Sequence, residues 1–459
     1  MNKEASFAGT FYPDGSEELN SLINSFKENT KIEYKSKAII VPHAGLIYSG
    51  HAAMAGFLHL DFSETIFIIA PSHHKIFNNI ALPKYTYFDT PLGSIEVNNL
   101  LIKEIAEKFP CIITDEPFEN EHSIEVQLPF LQNICYPHKQ NAADFVKNLT
   151  KLGKRLKIVP ILVGRCDYKL IADLISEYWE RASFVISSDL SHFYPQNLSR
   201  QIDSYTATII ETGKLECFEP VQACGLIGIK GLTEFANRNG YSLIRAEMYN
   251  SGDISNDKDR VVGYGSWYLY PDTTNNFYKT FYSQYILNTV KESIKNSLSE
   301  KEYIPKHIPP SLTQYGASFV TIKINGQLRG CIGSVYPTKP LIIDLIDNAK
   351  NAAFYDPRFI PIREEEFEHL TFSISLLSKI ESIPFKDEKD LLTKIYPYGI
   401  VLSEREKRAV YLPVVWEQLP DKEIFLNSLK EKAGLPPDYF SKNIEAFKFT
   451  TTTISDETT

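Results

Sequence analysis

Three short apolar runs in this chain end on the same kind of punctuation. Ala38–Val41 gives way to Pro42 and His43. Thr65–Ala70 gives way to Pro71, Ser72, His73 and His74. Ser183–Ser188 gives way to Asp189, Ser191 and His192. Short apolar runs between breakers form buried strands, and strands apolar on both faces belong to parallel sheets covered by helices. Open parallel sheets collect their ligands at the carboxyl edge. The pattern therefore predicts an α/β fold with a mainly parallel sheet, whose edge carries His43, His73, Asp189 and His192. Lys157–Val163 supplies a further strand.

The intervening segments read as helices and turns. Asp14–Ser16 offers caps for a helix with Leu19, Leu22, Ile23 and Phe26 on one face. Ala52–His59 reads as a helix starting near Ser49-Gly50, its free N–H groups facing the crevice at His43. Tyr85–Phe88 and the turn Pro91-Leu92-Gly93 suggest a hairpin, followed by a helix over Asn99–Phe109. Glu121–Ile134 reads as one helix. It places His122 and Glu125 on a shared face near its start, as an ion pair or, for His122, as a catalytic side chain. Residues 136–154 read as a polar surface insertion. A helix over Gln201–Glu211 and strands at Glu247–Tyr249 and Val261–Tyr270 close this part.

A turn-rich stretch at 271–276 reads as a linker. It separates an N-terminal domain, 1–270, from a C-terminal α+β domain, 277–459. The second domain opens with a helix, Phe277–Leu298. Asn325-Gly326 reads as the turn between strands Gly316–Ile324 and Gln327–Val335. A helix over Leu341–Asn351, an alternating strand Leu370–Leu377, a strand pair around Glu404–Lys407 and a helix Lys422–Ala433 stopped by Gly434 follow. Ser455–Thr459 reads as a frayed tail.

Composition limits the function classes. With 459 residues, 43% hydrophobic and 12% aromatic, the chain can bury sizeable cores. A net charge of −9 argues against a broad basic face for nucleic acid. No apolar run is long enough to cross a membrane, and the first residues lack an apolar leader core, so the expectation is a cytoplasmic protein without membrane contact. The six cysteines are scattered without a CxxC pair, which excludes a zinc ribbon and fits reduced thiols.

The chemistry follows from what the strand ends carry. His43, His73 and Cys224 can form a three-ligand metal site with an open position. Imidazole and thiolate suit iron, copper or zinc. Asp189 and His192 would stand behind the ligands, orienting them or moving protons. The competing chemistry is a nucleophilic Cys224 with His192 or His43 as base. An apolar setting with no basic neighbour disfavours it. In the second domain Arg329, Cys331, Asp356 and Arg358 are the candidates. A structural ion pair, Arg329–Asp356 or Asp356–Arg358, is the economical reading, with Cys331 as core packing.

VPHAGLIYSG at 41–50, APSHH at 70–74, EHSIEVQLPFL at 121–131, SSDLSH at 187–192 and the Cys224-Gly225 turn resemble the Memo family over most of residues 3–270. QLRGCIGS at 327–334, NAAFYDPRF at 351–359 and KAGLPPDYF at 432–440 resemble the AMMECR family over roughly 277–450. A chain carrying both resembles the AmmeMemoRadiSam systems, in which the two accompany a radical-SAM protein. The resemblance implies a fold like that of class III extradiol dioxygenases, which hold non-haem iron. It implies metal ligands at His43, His73 and Cys224, with Asp189 and His192 in the pocket. Those dioxygenases use two histidines and a carboxylate, whereas this chain has a cysteine at the third position. Iron is the first expectation for the cofactor, with copper or zinc next.

Together these readings give a metal-dependent redox enzyme, dioxygenase-like, or a component of one. It would act with a radical-SAM partner on a small molecule or peptide. Two alternatives stand beside it. One is a non-catalytic peptide- or protein-binding module with a structural or vestigial metal. The other is a thiol- or zinc-dependent hydrolase.

Overall fold

The computed structural model describes residues 1–27, 32–135, 156–272 and 275–456. The expected insertion at 136–154 and part of the linker stretch lie outside them. The chain forms two compact units, Met1–Pro271 and Asp272–Thr459.

The first unit is built on a twelve-stranded sheet. Its strands are β1 (Asn2–Lys3), β2 (Ala38–Val41), β3 (Thr65–Pro71), β4 (Ile80–Leu82), β5 (Tyr87–Thr90) and β6 (Gly93–Val97). Then come β7 (Cys111–Ile113), β8 (Lys157–Val163), β9 (Ser183–Ser187), β10 (His192–Tyr194), β11 (Ser242–Asn250) and β12 (Val261–Tyr270). The centre runs β6-β8-β3-β9-β2, all parallel. β2, β3 and β9 are buried at every residue, as parallel strands covered on both faces must be. On the far side β12 runs antiparallel to β2 and carries β11 and β10.

Register fixes the edge. Val41 lies opposite Ser187, and Ile69 opposite Ile186. The residues just past β2, β9 and β3 are therefore level: His43, Asp189 and His73 leave three neighbouring strands at one edge.

Several helix boundaries differ from expectation. The helix after His43 spans Leu46–His59 with Gly45 at its N-cap, so it begins some four residues earlier than the sequence suggests. The glycines do not break it; Gly50 is kept free of a Cβ because the Phe26 ring would lie 2.2 Å from one. The helix Ser16–Ser25 is entered through Gly15 without a side-chain cap, so Asp14 does not serve as one. The expected single helix at 121–134 is two, His122–Glu125 and Leu128–Cys135. Pro129 has no N–H to give and crowds the preceding turn. The chain breaks before it, which turns Gln127 into the interior.

The second unit has two four-stranded antiparallel sheets. In the first, Gln327–Gly333, Ser318–Ile324, Leu370–Leu377 and Thr451–Ser455 lie side by side. Its apolar face carries Val320, Ile322, Phe372, Ile374 and Ile454, all buried, and the helices Asn276–Leu298 and Leu341–Phe354 accompany it. Asn325 and Gly326 both take positive φ, 51° and 78°, as a tight hairpin turn requires. The second sheet, with Gly399–Glu404 at its heart, packs on the helix Lys422–Lys432 through Ile400, Leu402, Phe425 and Leu429. Ser455 is not a frayed tail residue: it pairs with Ser373. No helix among the described residues is long and apolar enough to cross a membrane.

Candidate metal centre

Three imidazoles converge at the sheet edge. Ligand atoms of His43, His73 and His122 all lie within 4.8 Å of one another. The His73 and His122 rings stack with centroids 4.7 Å apart, and His43 stands edge-on to both at 5.2 Å. His122 arrives from the short helix after Glu121 rather than from a strand. Its outer side packs on Phe11 and Phe7, at 4.6 and 5.6 Å.

Hydrogen bonds set two of the rings. The Ser187 hydroxyl gives its one hydrogen to the Ser123 carbonyl, 2.7 Å away, and accepts from Gln127 Nε2 at 2.8 Å. It therefore also accepts from His43 Nδ1, at 2.8 Å, which leaves Nε2 as the bare nitrogen of His43. Glu121 does the same for His73: Oε1 lies 2.8 Å from Nδ1, and Oε2 accepts the His73 backbone N–H at 2.6 Å. Oε1 also caps the next helix by accepting from Ser123 N. Burial opposes ionisation of Glu121, but the hydrogen bonds and charge of His73 outweigh it and bring the carboxyl down to about 2. A carboxylate or hydroxyl behind each imidazole, fixing its tautomer, is the usual support for a metal ligand.

Electrostatics favour the neutral form of His43 and His122. Burial, then the neighbouring His73, pushes His43 well below the ordinary histidine range. Burial and His43 bring His122 down to about 3. Neutral imidazole is the form that binds metals.

Cys224 borders this group without joining its mutual spacing. Its Sγ is 3.3 Å from His43 Nε2 and accepts the Asp189 N–H at 3.3 Å. It is seated by Gly225, where a Cβ would strike the Ser187 carbonyl at 2.6 Å. Burial, then the Asp189 charge, pushes the thiol up, so the bare cysteine is protonated. That disfavours a free thiolate nucleophile and leaves metal coordination as the route to a thiolate here. Asp189 is buried, and its Oδ1 accepts the His43 backbone N–H at 2.8 Å. Burial raises its carboxyl, against the pull of that N–H and of His192, His122 and His73. His192 lies on β10, partly exposed, within electrostatic reach of Asp189 and His43.

The expected pairing of His122 with Glu125 is absent. Glu125 faces away and binds Lys3, Tyr12 Oη and the backbone N–H groups of Ser6 and Phe7. Sequence reasoning passed over Glu121, Ser187 and Gln127. The run EHS carried a signal for Glu121, since an acid adjoins a histidine there; the other two are set by long-range packing.

The family described as Memo-like protein matches residues 3–268. The chain belongs to the Memo-like family. The AMMECR1 family matches residues 287–454, so one chain joins a Memo-like and an AMMECR1 domain. A MEMO1 family protein of Aquifex aeolicus is 33% identical over 280 residues, covering 57% of this chain and 97% of that protein. One from Thermoplasma volcanium is 31% identical, over 58% and 97%. An uncharacterised protein from Pyrococcus horikoshii, solved by crystallography, is 31% identical over 38% of this chain and 91% of that one, with a TM-score of 0.37.

In the second unit Arg329 parts from the other three candidates, while Cys331, Asp356 and Arg358 are joined by hydrogen bonds. Arg329 does not pair with Asp356. It makes a bidentate bond to Glu366 and donates to the Ile360 and Pro361 carbonyls. Asp356 pairs with Arg358 instead, at 2.7 and 2.9 Å. Cys331 is partly exposed rather than sealed in the core.

Proposed function

We propose that the Memo-like unit is a metal-dependent redox enzyme. The observation that carries this reading is the imidazole cluster whose rings are pre-set by Ser187 and Glu121. His43 and His73 are its two fixed ligands and His122 the third; Cys224, beside His43 Nε2, is the further donor. Histidine with one thiolate suits iron, copper or zinc, and the family resemblance puts iron first. When bound, such a metal would supply an open coordination position and, if iron or copper, one-electron chemistry. Asp189 and His192 hold and move protons beside it. Phe7 and Phe11 keep the outer side of His122 from water.

The fusion supports a role beside a radical-SAM protein, since its two families make up the other parts of such systems. The substrate would be a small molecule or peptide. Electron paramagnetic resonance on protein oxidised with ferricyanide and then reduced tests the redox reading. A metal signal that changes on reduction with dithionite and is missing in His43→Ala supports it. A bound metal with no redox response contradicts it and favours a zinc hydrolase or structural site.

A further inference from the structure

The turn between β9 and β10 is held from behind by an acid that is not one of the candidate ligands. Asp203 comes from the helix Gln196–Thr212 and is buried, as are Ser191 and Ser199. Its Oδ1 accepts the Ser191 backbone N–H at 3.0 Å. Its Oδ2 accepts from the Ser199 hydroxyl at 3.1 Å, and that hydroxyl lies 2.8 Å from Ser191 Oγ. Asp203 forms no ion pair among the described residues, although an interior carboxylate without a cation is costly. β12 makes room for it: at Gly263 a Cβ would lie 2.0 Å from Asp203 Oδ2. A glycine inside a strand marks such a close approach. Gly263 also brackets the turn. It donates to the Ser191 carbonyl at 2.9 Å and accepts the Leu190 N–H at 2.8 Å.

The same turn carries the groups that border the imidazoles. Asp189 accepts the His43 backbone N–H at 2.8 Å, gives its own N–H to Cys224 Sγ at 3.3 Å, and accepts the Cys224 N–H at its carbonyl, also at 3.3 Å. Ser191 lies two residues on, and His192 follows it directly. We propose that Asp203 is a positioning residue of the metal centre: it fixes the Ser191 turn, and the turn sets Asp189 and His192 against His43 and Cys224. The inference rests on the metal reading above. Asp203 acts through Ser191 and Ser199, where its side-chain hydrogen bonds go. When they are lost, Ser191 is freed, Asp189 shifts, and the N–H that Cys224 accepts shifts with it. A thiolate's electronic properties follow the hydrogen bonds it accepts, so the sulfur reports the movement.

The test uses the full chain with Co²⁺ as the probe. In Asp203→Ala cobalt should still bind, with affinity lower by about tenfold, the low end of the cost of losing a ligand's outer support. Its sulfur-to-cobalt band should move. Asp203→Asn keeps both bonds, its oxygen accepting from Ser191 and its amide donating to Ser199, and should restore the wild-type band and affinity. Histidine ring NMR on the metal-free chain reads the same turn without cobalt. The His43 and His192 resonances should shift in Asp203→Ala and return in Asp203→Asn. Those of His59, at the far end of the helix Leu46–His59 and stacked on Tyr268, should stay. Ser199→Ala removes one bond alone and carries the test if Asp203→Ala does not fold, with smaller shifts of the same kind. A folded Asp203→Ala or Ser199→Ala with the wild-type band and unmoved His43 and His192 resonances overturns the proposal. Wild-type protein that binds no cobalt defeats the metal reading instead, and the NMR comparison still decides whether Asp203 sets the turn.

Discussion

The Ser187 hydroxyl lies 2.8 Å from His43 Nδ1 and has already spent its only hydrogen on the Ser123 carbonyl. That one contact decides which nitrogen of His43 faces the imidazole cluster. Ser187→Ala removes it while leaving the strand and ring in place. Metal affinity should fall about 10- to 100-fold, the usual cost of losing a ligand's supporting bond. Competition against a chelator of known affinity measures it, with Ser187→Thr as the conservative control.

Glu121 supports His73 and also caps the following helix through Ser123 N. Glu121→Ala should therefore do two things. Metal affinity should drop by a similar factor, and stability should fall by about 1 kcal/mol from the lost cap. Glu121→Gln should recover part of the stability but little of the affinity, since a neutral amide is a poorer partner for the imidazole N–H. Chemical denaturation beside metal titration separates the two effects.

Cys224 sits 3.3 Å from the bare nitrogen of His43. In cobalt-loaded protein it should give a sulfur-to-metal charge-transfer band. Cys224→Ser should abolish the band while His43 and His73 still retain cobalt. Optical titration reads both, and loss of cobalt together with the band would make the cysteine a principal ligand.

Glu125 gathers the N-terminal segment. It takes hydrogen bonds from Phe7 N and Tyr12 Oη and pairs with Lys3 at 3.2 Å, both side chains buried. Glu125→Ala strands the Lys3 charge in the interior and should cost about 3–5 kcal/mol. It should also loosen Phe7 and Phe11 from His122. Thermal melting checks the first effect; histidine proton NMR line widths check the second.

Burial raises Asp203 to about 6, although Ser191 and Ser199 hydrogen-bond it. An acid whose folded pKa exceeds its unfolded one stabilises most below the unfolded value, near 4. That contribution is lost as pH rises through about 6. Asp203→Asn should flatten the decline in melting temperature between about pH 4 and 6, measured in a pH series on both proteins.

The strand termini were legible because their physics is local. An apolar run, a proline and a histidine need no knowledge of the rest of the chain, and register does the rest once Val41 faces Ser187. The resemblance to two families was equally legible, since several motifs recur in order. The placement of His122 among the imidazoles was not. It depends on a helix broken before Pro129 and on Phe11, more than a hundred positions away in sequence. The pairing read for His122 and Glu125 assumed a surface face, whereas Glu125 turns inward to meet Lys3. Ser187 looked like an ordinary strand residue, because a hydroxyl's role is set by which carbonyl it finds. Ser455, read as a tail, pairs with Ser373 because Leu370–Leu377 has an edge to fill.

Metal content decides whether the imidazole cluster is a metal centre. Wild-type protein and His73→Ala are purified anaerobically and analysed for iron, copper and zinc. About one metal per chain is expected in the wild type and little in the variant, with both proteins folded. No metal in either, or equal metal in both, would contradict a centre at the edge of β2, β3 and β9.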